Sequence, residues 1–561
     1  MRFAVNTFSS FKLKSYKLPH IILTAFLFFN AAHSYATNYT WIGSVNVDWH
    51  TAANWNQMDI PTINDDVTIP SSKTVSISAG NAFAKTLTIQ NGSFVGLENE
   101  KTLQLEKLVC TGSGAFLGAG SGGTETGTLK FTGSDASFIT GTNPCSFANI
   151  EVDTGAVLTL GYSITVKRNF INNGTINAPS KTIEIGGDVD FSHGTFSGTS
   201  HTVKLSGTAA QKIKINASGT DFGNLIIIDK ASGDVTVEES EGTLKASAFE
   251  INSAPGGVTV NAPLSVTGIL KHTGGGNAAF YKKVTLGTFK HRGSGTSDFS
   301  EEVVTANLKH TGTNTLTFQK IVKVTGTFAD SASSGALNFN GGADFTFTSQ
   351  TEFKTNSALT LKGDCNFNGG IKRSGSGATN ISGKITTANN AIDFPNNSVT
   401  LTSETVMETG SGNITFAKKV MGAPNKLEIK TSGTGTARFN KGFDNNFVLH
   451  LTGNAEIKED NTFASFKVDN SSIAAATSVK FEGGKTQTIN NSISLKGNAV
   501  SKPLTLGSTN STKWNVYFSS VPTYEDFSYV VVDKSKSVDS GGSARKLELS
   551  QSDNYVKDFT Y

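Results

Sequence analysis

Three histidines, His272, His291 and His310, recur at a fixed step of nineteen residues, each preceded by a lysine, Lys271, Lys290 and Lys309. Imidazole is the commonest metal ligand and the side chain that titrates nearest neutrality. Three of the chain's nine histidines in one register therefore raise the question of a metal site. Geometry argues against it. If the step is one coil of a stacked repeat, equivalent residues lie about 4.8 Å apart and the outer two about 9.6 Å apart. Two nitrogens on one zinc ion are at most about 4 Å apart. A straight ladder cannot converge on one ion, so no metal and no cofactor are expected. The histidines read as structural stacking, with a weak surface ligand role as the second reading. The lysines read either as a basic stripe for anionic glycans or as a solvated face that discourages edge association. These six residues form the candidate surface ligand stripe.

Other groupings carry less chemistry. Asp65-Asp66 is the only adjacent aspartate pair, and turn or strand-start roles suffice for it. Glu238, Glu239 and Glu241 cluster in a loop-like phrase, VEESEG, and Glu301-Glu302 falls in a charge column, Lys282, Glu301, Lys320. The glycine-rich run at residues 112–123 lacks the Lys-Ser/Thr of a phosphate loop and a following helix. No Ser-His-Asp spacing appears, and no paired carboxylates suggest acid–base work. The chain is not expected to be an enzyme.

The elements that must position these residues follow from the same step. Leu270-Lys271-His272-Thr273-Gly274 is repeated as Phe289-Lys290-His291-Arg292-Gly293 and as Leu308-Lys309-His310-Thr311-Gly312. Phe280, Phe299 and Phe318 trail them at a constant offset. Repeats near twenty residues, with turns between short period-two apolar runs, predict a solenoid of stacked coils. Each inward position should stack on its own kind, giving a phenylalanine ladder. Corner phrases recur at Phe339, Phe367, Phe416, Phe439 and Phe481, and read as one structural position visited many times, with glycine and asparagine supplying positive φ.

Composition agrees. The 561 residues include 58 Gly and only 11 Pro, with 17% charged residues and a net charge of +3. Near balance, without an arginine-rich run, gives no reason to expect nucleic acid. Phe outnumbers Tyr by 38 to 10, a composition suited to filling interiors. Arg2, Lys12, Lys14 and Lys17 precede an apolar run at residues 21–32 that is too short to span a bilayer. Ser34-Tyr35-Ala36 supplies a signal-peptidase site before Thr37, so residues 1–36 read as a signal peptide; an uncleaved anchor is the other reading. The mature chain is then exported, with no transmembrane span after cleavage. Of three cysteines, Cys110 and Cys145 could meet across neighbouring coils, and Cys365 reads as a buried free thiol.

Along the chain, residues 37–95 are distinct: Trp41, Trp49 and Trp55 fall within fifteen residues and read as a cap over the open end of the stack. Residues 96–512 read as the solenoid repeats, and 513–561 as final coils with a C-terminal cap. Trp49, Asn54, Trp55, Pro61, Asp65, Asp66, Val67 and Ile69 resemble the opening of the G8 domain. The degenerate phrases VKLSG…QKI at Val203 and VKFEG…QTI at Val479 resemble those of bacterial exported β-solenoids, the adhesin-like and haemagglutinin-like repeat proteins. These resemblances imply an outer-membrane or cell-surface location and, for the G8-like opening, carbohydrate.

The expectation is an all-β protein, a capped parallel β-helix (β-solenoid), right-handed, with coils of about 19–21 residues. Some twenty-five such coils would make a rod roughly 120 Å long. The expected role is structural or adhesive at a bacterial surface, with host or environmental glycans or matrix proteins as partners. The alternative is a carbohydrate-binding or polysaccharide-cleaving β-helix, which a groove with facing carboxylates would favour.

Overall fold

The computed structural model describes residues 36–98, 100–111, 116–118, 126–133, 136–141, 146–197, 200–253, 256–519, 523–537 and 555–560. The chain is a parallel β-solenoid of about 21 turns. Among the described residues the only helical element is a three-residue 3-10 turn, Ala52–Asn54. The signal-peptide expectation and Cys145 lie outside the described residues.

One coil shows the construction. The strand Leu264–His272 pairs in parallel with Val284–His291 of the next coil, but register breaks between Val266 and Ile269. A corner there splits it into two faces, 264–266 and 269–272. Ala278–Phe280 supplies the third face, in register with Ser297–Phe299. Each coil is thus three short strands joined at three corners. Side-chain alternation then sorts the sequence: Leu264, Val266, Leu270, His272, Ala278 and Phe280 are buried, while Ser265, Lys271 and Ala279 face outward.

The inward columns stack like on like. Phe280, Phe299, Phe318 and Phe339 form a continuous column with ring centroids 4.6, 5.2 and 5.5 Å apart and planes within 13° of parallel. Each ring is at most 1% exposed. Burying such a side chain contributes about 1.5–3 kcal/mol relative to leaving it in water. The nineteen-step glycines have a different cause from the one expected. Gly274, Gly276, Gly293 and Gly295 do not have positive φ. They are glycine because a Cβ would overlap the carbonyl oxygen of the coil before, as Gly276 would overlap Gly256.

Four other expectations change. Coils of 19–21 residues recur beyond the centre, as between Val67 and Leu87 (twenty) and between Ile164 and Ile183 (nineteen), but other coils are longer: twenty-two residues separate Phe394 from its register partner Phe416, and twenty-three separate Phe416 from Phe439. At the N-terminus twenty-eight separate Asn38 from Asp66. Longer coils mean fewer of them, and a stack of roughly 100 Å rather than 120 Å. The corner phenylalanines are not one position: Phe339 continues the Phe318 column, Phe367 pairs with Phe345, and Phe416 and Phe439 extend from Phe394. These are three different ladders, because every face ends at a corner with the same steric needs. The charge column uses other residues than Lys282, Glu301 and Lys320. Glu302 bridges Lys283 and Lys323, both at 2.7 Å, and Lys282 instead reaches Glu239 at 3.5 Å.

At the N-terminal end, Asn38–Thr40 pairs with Asp66–Ile69, and residues 47–49 add to the strand Thr74–Ile77 through Ser76 N–H to Val47 O and Trp49 N–H to Ser76 O. Trp41, Trp49 and Trp55 are 0–2% exposed. At the other end Val530–Ser537 still pairs in parallel with Leu504–Ser508 and Tyr555–Thr560. The last described strands continue the stack.

Candidate functional site

The structure separates the six stripe residues into two sets. Lys271, Lys290 and Lys309 line one outward column, with Glu250 one coil earlier and 3.5 Å from Lys271. His272, His291 and His310 are 0% exposed and point into the core. They cannot belong to a surface ligand stripe. The reason is elementary: neighbours in a strand face opposite sides, so a Lys-His pair divides between water and core.

The buried histidines serve the corner between the second and third faces. The Nε2–H groups of His272 and His291 donate to Gly276 O and Gly295 O, each at 2.8 Å, and His310 Nε2 lies 3.1 Å from Gly335 O. Ser297 donates its hydroxyl to His272 Nδ1 at 2.8 Å. Burial pushes the His272 imidazole down to about 4 and lowers His291 and His310 as well, with the corner carbonyls working against the shift. Farther along, Thr355 donates to Ser334 O and Gly335 O, and Thr431 to Gly435 O. The side chains at this corner give the folded-over glycine carbonyls the donors that a ladder would otherwise supply.

The acidic groups singled out in the sequence are structural. Burial acts to raise the Asp65 carboxyl, but hydrogen bonds from Thr62 and Thr37 outweigh it and hold it below the usual range. Glu238 and Glu239 form ion pairs with Lys212 and Lys282.

A large concavity lies where the sequence drew no attention. It is a groove of about 750 Å³ that includes Glu100, Thr128, Asn149, Glu151, Lys167, Arg168, Asn169 and Asp188, and ends against residues 207–210 of a later coil. Register places these on six successive coils, so the groove runs roughly 24 Å along the stack. It follows the same corner that the histidines brace farther on. There the corner between faces holds five residues, 273–277; here it is Ala148 alone in one coil and 167–169 and 186–188 in the next two. Short corners with Ala and Gly leave the channel open.

Its floor is a cross-coil chain of hydrogen bonds. Asn149 donates to Thr126 O at 2.7 Å and Gly127 O at 3.1 Å, and its Oδ1 accepts from Asn169 N–H at 3.1 Å. Asn169 Oδ1 accepts from Asp188 N–H at 3.0 Å, and Asp188 Oδ1 from Lys212 N–H at 2.8 Å. From inside, Lys230, 2% exposed, donates to Ala209 O at 2.6 Å and to Gln211 Oε1 at 2.8 Å, while Gln211 donates to Gly187 O at 2.6 Å. Burial lowers the Lys230 ammonium from its ordinary value. These side chains fix the groove backbone.

Three carboxylates line the groove. Glu151 is held by Lys130 at 2.9 Å, a contact that keeps the ammonium above its usual value. Glu151 and Asp188 are two coils apart, roughly 10 Å along the axis. Glycosidase carboxyl pairs are separated by about 5–5.5 Å or about 6.5–9.5 Å. Glu151 is tied to a lysine and Asp188 to a backbone N–H, so the pair is built as wall and floor. Among the described residues that line the groove there is no aromatic side chain. Groove residues such as Arg168 and Gly187 keep a nineteen-residue step but change type from coil to coil, which is why sequence reasoning missed them. The F-x-N phrases at Phe147 and Phe222 were the available signal, since the first places Asn149 at the corner.

Comparison with known proteins adds one match. A family described as a domain of unknown function, DUF8693, matches residues 40–119, which span the tryptophan segment and the first coils. No curated protein and no solved structure matches the chain.

Proposed function

We propose that the chain is an exported, non-enzymatic surface rod that adheres to extended polar polymers, with the axial groove as its principal contact. The observation that carries this reading is the groove itself: a channel about six coils long, walled by Lys, Arg, Asn, Glu and Asp, with a floor fixed by hydrogen bonds. An extended glycan lying along the stack would meet a fresh set of polar groups at every coil, about 4.8 Å apart. Export is supported by the basic and apolar residues before Thr37 and by the disulfide at Cys110, a bond that persists in oxidising compartments. No helix among the described residues is long and apolar enough to cross a membrane.

The second reading, cleavage of polysaccharide, is less well served, because Glu151 and Asp188 are engaged and widely spaced. The test is a glycan and matrix-protein array probed with the mature chain, followed by Lys167→Glu/Arg168→Glu. Binding that falls at least about tenfold while the melting profile holds supports the groove. Binding unchanged by the double variant, or polymer shortened by the wild type, refutes it.

A further inference from the structure

His291 and His310 are arranged in a way that neutral imidazoles cannot satisfy. Their Nδ1 atoms are 3.0 Å apart. The ring planes are within 1° of parallel and the centroids 5.0 Å apart. Parallel rings at that separation bring two nitrogens to 3.0 Å only if both nitrogens point along the line joining the rings. The contact is therefore edge to edge, the geometry of an N–H···N hydrogen bond, and not a face-to-face stack. At their far edges, His291 Nε2 meets Gly295 O at 2.8 Å and His310 Nε2 meets Gly335 O at 3.1 Å.

Carbonyl oxygens only accept, so each outer contact needs a ring N–H, and the central contact needs one more. Three contacts call for three protons. Two neutral imidazoles carry two. The neutral pair must either face lone pair against lone pair at the centre or turn a ring lone pair onto a carbonyl oxygen. His272, one coil earlier, has no such conflict, because Ser297 supplies the hydrogen its Nδ1 accepts.

We infer that His291 and His310 form a one-proton site: a single added proton is held between the two Nδ1 atoms, and both Nε2–H groups stay on the corner carbonyls. The charged groups around it are consistent with one positive charge and no more. The register partner of His310 on the next coil is Asp330, a half-buried carboxylate that accepts from Lys354 N–H and Thr355 N–H at 2.9 Å, from Ser331 N–H at 2.8 Å and from the Ser334 hydroxyl at 2.5 Å. Beyond it Arg373 is buried on the same corner. On the other side lies His272, its ring 5.3 Å from that of His291. Lys290, Arg292 and Lys309 point outward from the strands that carry the pair, and the remaining inward neighbours, Phe289, Phe299 and Leu308, are apolar. A second proton would leave a donor facing a donor at 3.0 Å.

The test is titration of the imidazole nitrogens by NMR in the intact, 15N-histidine-labelled chain, with His272→Gln and His310→Gln for assignment. The expected result is one exchange-protected proton coupled to a nitrogen of each ring, entering as a single step. Its midpoint should lie about one pH unit or more above that of His272. In His310→Gln the amide can donate to His291 Nδ1 without an added proton, so the shared proton should vanish and His291 should titrate with His272. If that variant does not fold, the wild-type titration decides alone. Two independent steps at the midpoint of His272, or two neutral rings down to acid unfolding, would overturn the inference.

Discussion

The indole N–H of Trp55 is donated to the main-chain carbonyl of Trp49 at 2.8 Å, and the Trp55 ring stands edge-on to both Trp49 and Trp41 with centroids 4.8 Å apart. One side chain thereby ties three turns of the N-terminal segment. Asn54 beside it is fully buried and holds the same loop, accepting from Val45 and Asn46 N–H and donating to Asn46 Oδ1 and Asp48 O. Trp55→Ala should destabilise this end by about 3–5 kcal/mol. Because coils couple only to their neighbours, hydrogen exchange should accelerate in residues 38–70 and remain slow in the central coils. Deleting 38–70 should go further and cause aggregation, read by light scattering, since it opens the strand edges of Thr74–Ile77 and Thr86–Ile89. Uniform exchange along the rod after Trp55→Ala would contradict this account.

Phe299 sits between Phe280 and Phe318 with both rings within 5.2 Å, and Phe289 meets it edge-on at 5.1 Å. Phe299→Ala should cost about 3–5 kcal/mol, and Phe299→Asp more, because the carboxylate would be buried without a partner. Ser300→Ala, on the outer side, should be nearly silent. Limited proteolysis should cut the Phe299 variants near that residue and leave distant coils intact. A damaging Ser300→Ala beside a silent Phe299→Ala would reverse the assigned faces.

The phenylalanine column was legible because a fixed step of nineteen determines what stacks on what. The histidine column has the same step, and its first reading, structural stacking, stands; the surface ligand role fails because the lysine before each histidine requires the imidazole to point inward. The groove was not legible. It is made by corner residues such as Ala148, Arg168 and Gly187, which are twenty and nineteen residues apart but unlike in type, so no repeated phrase marks them. Arg373 was invisible for a related reason: it follows Phe353 and precedes Phe394 in its ladder, one guanidinium in a column of rings. Pattern predicts the rule for an inward position and cannot predict its exception.

Cysteine reactivity follows from placement. Cys110 is disulfide-bonded. Its strand partner in the next coil is Gly141, four residues before Cys145 in the sequence. Cys365 is free and buried, and burial pushes its thiol up to about 12. Iodoacetamide should therefore label nothing in the folded chain and Cys365 alone after unfolding without reductant. Non-reducing peptide mapping should recover Cys110 linked to Cys145. Labelling of native Cys365, or free Cys110, would contradict the arrangement.

Arg373 is 0% exposed and forms no ion pair among the described residues. Its guanidinium donates instead to Ser357 O at 2.8 Å, to Phe353 O and Gly377 O at 3.3 Å, to Thr355 O, and to Thr379 Oγ1. Burial lowers it to about 10, against the attraction of Asp330. Arg373→Met keeps the length but takes the guanidinium donors from Thr355 O and Ser357 O, and should cost about 3 kcal/mol. Arg373→Lys should not restore stability, because a single ammonium cannot span acceptors on two coils. Chemical denaturation should rank wild type above both variants, with new protease sites near residue 373. A lysine variant as stable as wild type would mean that charge, not the planar fork, is what the corner needs.

Acid should loosen the centre of the rod before it affects the ends, and His272 gives the sign. Its folded value, about 4, lies below the ordinary histidine value of about 6.5. Between these limits the unfolded chain binds the proton and the folded chain does not. Stability contributed by the neutral ring is therefore full above about pH 6.5 and declines as pH falls towards 4, by at most about 1.4 kcal/mol per pH unit. His272→Gln removes this titration. The glutamine side chain can still donate to Gly276 O, so the variant should lose less stability than wild type between pH 7 and 4.5. Hydrogen exchange of the strand Leu264–His272 at the two pH values reads the difference where it arises. Equal acid sensitivity in the two proteins would place the responsible proton elsewhere, on another buried imidazole such as His201, which burial also lowers from its ordinary value.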